Sequence, residues 1–354
     1  MVATSVETAG RGRRIAVFRA LQLGDLLCAV PALRALRQGE GGAEIALVGL
    51  PWARTFVERY RPLVDRFVAF PGAPGFPEQA APAGRLAAFL AQMREERFDL
   101  ALQMHGSGQR SNRIVRAFGA AAWAGFGTHA GSAAPGPRLL PWPGGHEIER
   151  LLALTSSLGY RPCGAGLEFP LQAADFTGWD QLARTHGLAA GAYVCIHPGA
   201  RLPSRRWPVD RFAAVARSLR KPWRIVVTGA AEEADLARTL CAAVGAGTVN
   251  LCGQTSLGSL AVLLRRARLL VCNDTGVSHL SAAVGGRSVV VSCGSESARW
   301  APLDHGRHIV LADQPPCRPC GFHDCPYGHI CALRIEPAAV VGAAMALLRQ
   351  GDEG

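Results

Sequence analysis

Residues 268–286, RLLVCNDTGVSHLSAAVGG, constrain the fold more than any other stretch of the chain. A short apolar run at 269–272 stops at the polar turn Asn273-Asp274-Thr275-Gly276, and a helix rich in small residues opens at 278–284. Strand, polar turn and helix start together form the repeating unit of an open parallel sheet. In such sheets ligands collect at the carboxyl ends of strands, and the unpaired N–H groups of a helix start favour an anion. Phosphate is the natural ligand here. Thr275 and Gly276 offer a hydroxyl and backbone donors, Asp274 can accept from ligand hydroxyls, and His279 falls in the first helical turn. An aspartate that merely caps the helix is the competing reading, and these residues alone leave both open.

The same unit recurs along the chain. An apolar strand at 15–18 leads through a loop to a helical pattern reaching residue 36, with Pro31 expected in its first turns or at a kink. Asp25 follows Gly24 at the mouth of this helix, where it is either a cap or a general base. Strands are expected at 44–48 and 65–70, helices at 53–60 and 85–96, and a Pro/Gly loop at 71–82. A strand at 99–103 runs into a loop carrying His105, Ser107, Arg110 and Asn112, which suits an array of sugar hydroxyls or is a solvated Gly/Ser loop. Residues 131–145 read as loop, and 146–158 as a helix with Glu147 and Arg150 on its polar face. Residues 161–188 read as the end of the first domain and a linker.

In the second half, a strand at 193–196 meets His197-Pro198-Gly199-Ala200 and then Arg201, Ser204, Arg205 and Arg206. A small-residue turn followed by arginines outlines a diphosphate site, because guanidinium groups neutralise charge on a leaving phosphate. The alternative is a solvated basic face, with Trp207-Pro208 simply starting the helix 209–219. After the strand 224–228, Glu232 and Glu233 are candidates for ribose hydroxyls, although helix starts attract glutamate anyway. A strand at 249–251, a helix at 256–267 and a strand at 288–292 ending in Cys293–Ser297 complete a Rossmann-like pattern.

Composition narrows the function. A chain of 354 residues, 49% hydrophobic and 18% charged, is globular and long enough for two domains. Arg265, Arg266 and Arg268 interrupt the longest apolar candidate for a membrane span, and residues 1–12 lack the apolar core of a signal peptide, so a cytoplasmic protein is expected. The net charge of +11 favours an anionic partner: nucleic acid, an acidic membrane surface or a phosphorylated substrate. Basic residues interleaved with aromatics are missing, and so is a recognition helix, which argues against nucleic acid. Among eleven cysteines, Cys28, Cys163, Cys195, Cys241, Cys252, Cys272 and Cys293 read as buried small hydrophobes in a reducing compartment. Cys317, Cys320, Cys325 and Cys331, with His323 and His329 nearby, have the ligand types of a structural zinc site. A reduced, packed loop is the preferred reading, and no metal or cofactor is expected.

Taken together, IAVFRALQLGDLLCAVPALRAL, HPGARLPSRRWPVDRFAAVA, VVTGAAEEADLA, NLCGQTSLGSLAVLLRRARLLVCNDTGVSHLSAAVGG and the late cysteine segment resemble glycosyltransferase family 9, the bacterial heptosyltransferases. The resemblance implies an α/β GT-B architecture of two facing Rossmann-like domains with a cleft between them. These are an acceptor-binding domain at 1–180 and a nucleotide-sugar domain at 181–335, followed by a C-terminal helix at 336–354 that packs back on the first. It implies an inverting, metal-independent transfer, with ADP-heptose as donor and a lipopolysaccharide-core or related glycolipid as acceptor. Asp25 matches the general base, and Asp274 the contact to donor-sugar hydroxyls. Thr275 and Gly276 match the diphosphate pair, and His279 a histidine of the same motif. Arg205, with Arg206 as competitor, stands near a phosphate-binding lysine, and Glu233, less so Glu232, matches the ribose contact. Gly199 and Ala200 stand where some members carry hydroxyl residues, which leaves backbone N–H groups as donors. A peripheral position at the inner face of the cytoplasmic membrane follows from the acceptor and the positive charge.

Overall fold

The computed structural model describes residues 12–79, 84–127 and 138–350. The expected tail at 1–12 therefore lies almost wholly outside the described residues, as do 80–82 of the first expected loop and 131–137 of the second. The chain divides into two compact units, Met1–Ala165 and Gly166–Gly354, fifteen residues earlier than the expected boundary.

The first unit is built on six strands: β1 (Arg14–Phe18), β2 (Glu44–Gly49), β3 (Arg66–Ala69), β4 (Leu100–Gln103), β5 (Ala122–Gly127) and β6 (Arg138–Pro141). All pair in parallel, in the order β3-β2-β1-β4-β5-β6. Central β1 is apolar along its length because both of its faces are buried, as parallel sheets require. The helix Leu23–Gly39 follows β1 and carries Pro31 in its interior, not in its first turn. Strand β6 falls within the expected loop 131–145. It is short, only partly buried and at the sheet edge, so it lacks the continuous apolar run that reveals a central strand.

The second unit repeats the plan with β7 (Tyr193–His197), β8 (Arg224–Val227), β9 (Val249–Asn250), β10 (Leu269–Asn273), β11 (Ser288–Ser292) and β12 (His308–Ala312). Their order, β12-β11-β10-β7-β8-β9, is again parallel throughout. Counted from its own first strand this is 3-2-1-4-5-6, the dinucleotide-fold order, and it matches the first sheet. The helix Val209–Leu219 buries Phe212, Ala213, Val215, Ala216 and Leu219, a stripe with helical spacing.

Residues 173–186, read as linker, form the helix Ala173–His186, which packs on the helix Leu257–Arg266. Its anchor is aromatic rather than periodic. Trp179 is buried, donates from Nε1 to the Tyr193 hydroxyl at 3.2 Å, and lies under the Arg266 guanidinium at 4.1 Å. The C-terminal helix Pro337–Gln350 packs on the core of the second unit. Val340, Ala344, Leu347 and Leu348 join the core of β10 and β11, and Arg268 Nη2 donates to the Leu348 carbonyl at 3.0 Å. Burial of Val340, Leu347 and Leu348 contributes about 1.5–3 kcal/mol each, which fixes the helix there.

Candidate functional site

In the second unit, the carboxyl ends of β7, β8, β10 and β11 carry every donor-site candidate. Asn273, fully buried at the end of β10, is the organiser. Its Oδ1 accepts the Trp207 N–H at 2.9 Å, and its Nδ2 donates to the Pro198 carbonyl at 2.7 Å, so one amide joins the turn after β7 to the arginine loop. Trp207 is buried in turn, with its indole N–H shared between the Ala332 and Ile335 carbonyls at 3.1 and 3.2 Å. Next to Asn273, the Asp274 carboxylate accepts from the Ser295 hydroxyl. Thr275 then takes extended geometry as N-cap of the helix Gly276–Ala283. Its Oγ1 is buried and makes no hydrogen bond within the described protein. His279 is buried behind this turn, edge-on to Trp300.

Arg205 reaches the same region. Its Nη2 donates to the Cys320 carbonyl at 2.5 Å, while its buried Nε has no partner among the described residues. Burial lowers its pKa, opposed by the nearby Cys320 thiol and the Asp274 carboxylate. Arg206 is spent differently, with Nε donating to the Ala200 carbonyl at 2.8 Å. Arg206 thus braces the loop through Nε, while Arg205 has a buried Nε without a partner among the described residues. The two glutamates differ in exposure as well. Glu232 is exposed, whereas the Glu233 carboxylate accepts the Ala230 N–H at 2.9 Å, lies 4.0 Å from His197 Nε2 and fills the space where a side chain at Gly199 would collide with it. Burial pulls the His197 pKa down, so the ring is a neutral partner held by Thr228 Oγ1 at 3.0 Å.

The cysteine segment is part of this architecture. The Cys320 N–H donates to Gly294 at 2.9 Å, the Ser204 N–H to His323 at 3.0 Å, and His329 Nε2 lies 3.0 Å from the Ser204 carbonyl. Arg318 grips the Ser292 carbonyl at 2.8 Å and the Ser295 carbonyl at 2.6 Å. The segment therefore buttresses the arginine loop, a role its distance in sequence from Asp25 hid. Cys317, Cys320, Cys325 and Cys331 are all reduced, and no group of three or more His, Cys, Asp or Glu side chains among the described residues is arranged to hold a metal. Of the cysteines read as buried, Cys163, Cys241 and Cys252 are only half-buried.

In the first unit, Asp25 lies in the first turn of Leu23–Gly39, and its Oδ2 accepts the Gln22 N–H at 3.2 Å. The cap reading of this residue is therefore realised. The loop before it is set by Arg19, which is completely buried: Nε donates to the Asp25 carbonyl at 2.7 Å, Nη1 to the Met104 carbonyl, and Nη2 pairs with Glu147 at 3.0 Å. Glu147 and Arg150, expected on a polar face, are buried as well, because the helix Glu147–Ser157 packs against Leu23–Gly39 and supplies the counter-charge for Arg19. A buried guanidinium demands such a partner.

His105 follows β4. Its Nδ1 accepts the Ala20 N–H at 3.2 Å and its ring stacks on Phe18 at 5.2 Å. Burial and then the Arg19 charge push its pKa down to about 3, so the ring is neutral and carries its proton on Nε2. The other acceptor candidates divide. Asn112 donates to the Phe126 carbonyl at 2.7 Å and Arg110 donates to the Gly75 carbonyl, so both brace loops; Ser107 is half-buried in the loop itself.

Residues 86–331 match the profile of Glycosyltransferase family 9 (heptosyltransferase). The chain belongs to this family. It is 27% identical over 237 residues to lipopolysaccharide heptosyltransferase 2 of Escherichia coli K12, a match spanning 60% of this chain and 63% of that relative. In fold it is similar to a glycosyltransferase family 9 protein of Veillonella parvula, with TM-score 0.76, 21% identity and coverage of 96% of this chain and 98% of that one. It is also similar to E. coli ADP-heptose lipopolysaccharide heptosyltransferase II, with TM-score 0.71, 20% identity and coverage of 96% and 99%. The two parallel sheets are thus a GT-B fold.

Three residues that organise the strand ends, Arg19 in the first unit and Asn273 and Ser295 in the second, carried little signal in the sequence. Asn273 stood in the turn without a role, Ser295 in a generic polar loop, and Arg19 looked like an ordinary loop cation. The usable clue was position: each is at or just past the end of a strand, where polar residues are retained either for ligand or for loop geometry.

Proposed function

We propose that this chain is an inverting glycosyltransferase that moves heptose from ADP-heptose to a lipopolysaccharide-core or related glycolipid. The observation that carries the reading is the pair of buried, unpartnered polar atoms Thr275 Oγ1 and Arg205 Nε beside the start of the helix Gly276–Ala283. A diphosphate satisfies both at once, together with the helix N–H groups. Asp274 and Glu233 then suit hydroxyls of the donor sugar and ribose. As the bond to the anomeric carbon lengthens, positive charge spreads over the sugar ring and negative charge grows on ADP. Arg205, Thr275 and the helix dipole stabilise the second charge, a task protein groups can perform without a metal. Asp25, a carboxylate in the first turn of the helix Leu23–Gly39, takes the acceptor hydroxyl's proton.

No helix among the described residues is long and apolar enough to cross a membrane. We place the protein in the cytoplasm, resting on the anionic inner face of the membrane. In support, a groove of about 450 Å³ in the second unit is lined by Arg220, Lys221, Trp223, Arg224 and Thr248 with no carboxylate. The test is turnover of ADP-heptose with heptose-deficient core glycolipid, with the anomeric configuration of the product read by NMR. Acceptor-dependent ADP release with inverted configuration supports the reading, and retention or acceptor-independent hydrolysis contradicts it.

A further inference from the structure

Glu78 lies in the loop after β3, separated from the acceptor candidates by the helix Arg85–Glu95 and β4, and nothing in the sequence pattern marks it. The structure ties this loop down at two points. Phe76 is buried against Phe18, Phe70 and the edge of His105, and the Gly75 carbonyl accepts from Arg110. Two residues beyond the Phe76 anchor, the Glu78 side chain is only 14% exposed, and its Oε2 is buried with no hydrogen-bond donor among the described residues. That oxygen sits 4.0 Å from His105 Nε2. Because Nδ1 of this ring accepts the Ala20 N–H, Nε2 is the atom that carries the proton.

A gap of 4.0 Å is too long for a direct hydrogen bond. It is the right length for one oxygen placed about 2.8 Å from both atoms. Such an oxygen must donate to a carboxylate and accept from an imidazole N–H, which a water molecule does in the protein without acceptor and a sugar hydroxyl does when it displaces that water. A phosphate oxygen is repelled by the carboxylate, and an ammonium cannot accept from His105.

We propose that Glu78 and His105 form a clamp for one hydroxyl of the acceptor sugar, and that Glu78 is an acceptor-specificity residue of the first unit. This rests on the glycosyltransferase reading above. The clamp hydroxyl is distinct from the reacting one, whose proton goes to Asp25, so Glu78 acts on binding and not on proton transfer.

The experiment compares the full-length protein with Glu78→Gln and Glu78→Asp. It measures calorimetric binding of heptose-deficient core oligosaccharide, ADP affinity, and kcat and acceptor KM. A hydrogen bond to an ionised group makes a weakening of about tenfold or more the expected result for Glu78→Gln. Acceptor affinity and KM should move together, ADP affinity and kcat should hold, and Glu78→Asp should recover part of the loss. Unchanged acceptor binding in Glu78→Gln overturns the clamp while leaving the transferase reading intact. A collapse of kcat with binding intact also overturns it, since Glu78 would then be the base. Absence of oligosaccharide binding by the unsubstituted protein overturns it as well. Glu78-dependent binding without turnover supports the clamp and contradicts the transferase reading instead.

Discussion

Both sheets run in the same strand order, and the segment after each first strand carries an arginine, Arg19 directly after β1 and Arg205 in the turn Pro203–Arg205 that follows β7. Arg19 is satisfied within the protein, by the Asp25 and Met104 carbonyls and by the buried Glu147 carboxylate. Arg205 donates to the Cys320 carbonyl and has a buried Nε that, like Thr275 Oγ1, has no partner among the described residues. One arginine is fully used in holding a loop; the other keeps a buried donor without a partner among the described residues. The difference lies in the partners that distant segments supply: the helix Glu147–Ser157 delivers a carboxylate to Arg19, and the cysteine segment delivers only backbone to Arg205. Residue type at a strand end therefore does not separate a structural cation from a binding one, whereas its hydrogen-bond inventory does.

The contrast can be broken in several places. The largest effect is expected at Asp25, where Asp25→Asn should lower kcat by about 10²- to 10⁴-fold, as removal of a general base does. ADP affinity should be unaffected, because that carboxylate belongs to the first unit. Next comes Glu147→Ala, which strands the Arg19 charge in the core and should cost about 3–5 kcal/mol in urea denaturation of the first unit. Arg205→Ala should behave in the opposite manner: stability little changed, and ADP affinity by calorimetry weaker by about 1.5–3 kcal/mol, the worth of a hydrogen bond to a charged group. Thr275→Val should lose about 1 kcal/mol of the same affinity.

Acid sensitivity is an effect of another kind, spread over several pH units. His105 in the first unit is pushed down to about 3, chiefly by burial, and His308 in the second to about 4, also chiefly by burial. Both folded-state values lie below the ordinary value of about 6.5, so the unfolded chain takes up the proton first. Stability is then fully present above about pH 6.5 and is lost as the pH falls, towards 3 for His105 and 4 for His308, by at most about 1.4 kcal/mol per pH unit for each ring. Denaturation midpoints between pH 4.5 and 7 should show this slope, and His308→Asn should flatten it in the second unit alone.

How much could be read beforehand depends on how local the cause is. β1, β7, β10 and β11 announce themselves because a strand buried on both faces needs an unbroken apolar run, and the turn Asp274-Thr275-Gly276 is marked by the small-residue helix behind it. The edge strand β6 and the helix Ala173–His186 were not legible, since their stability comes from contacts with neighbours: pairing to β5 in one case, and Trp179 on Tyr193 in the other. At the site, the sequence pointed to Arg205 or Arg206, and to Glu232 or Glu233. Their surroundings differ, with the Ala200 carbonyl on Arg206 and the Ala230 N–H on Glu233, and neither partner shows in the local pattern. Asn273 as loop organiser and Glu147 as a buried counter-ion depend on residues about 66 and 128 positions away, beyond any local pattern.

The central claim is a division of labour, with chemistry at Asp25 in the first unit and donor diphosphate at Arg205 and Thr275 in the second. The most direct measurement is acceptor-dependent ADP release by Asp25→Asn and Arg205→Ala, with ADP affinity determined on the same preparations. The account predicts that Asp25→Asn abolishes turnover while binding ADP normally, and that Arg205→Ala binds ADP poorly. Normal turnover by Asp25→Asn, or normal ADP affinity in Arg205→Ala, would contradict it.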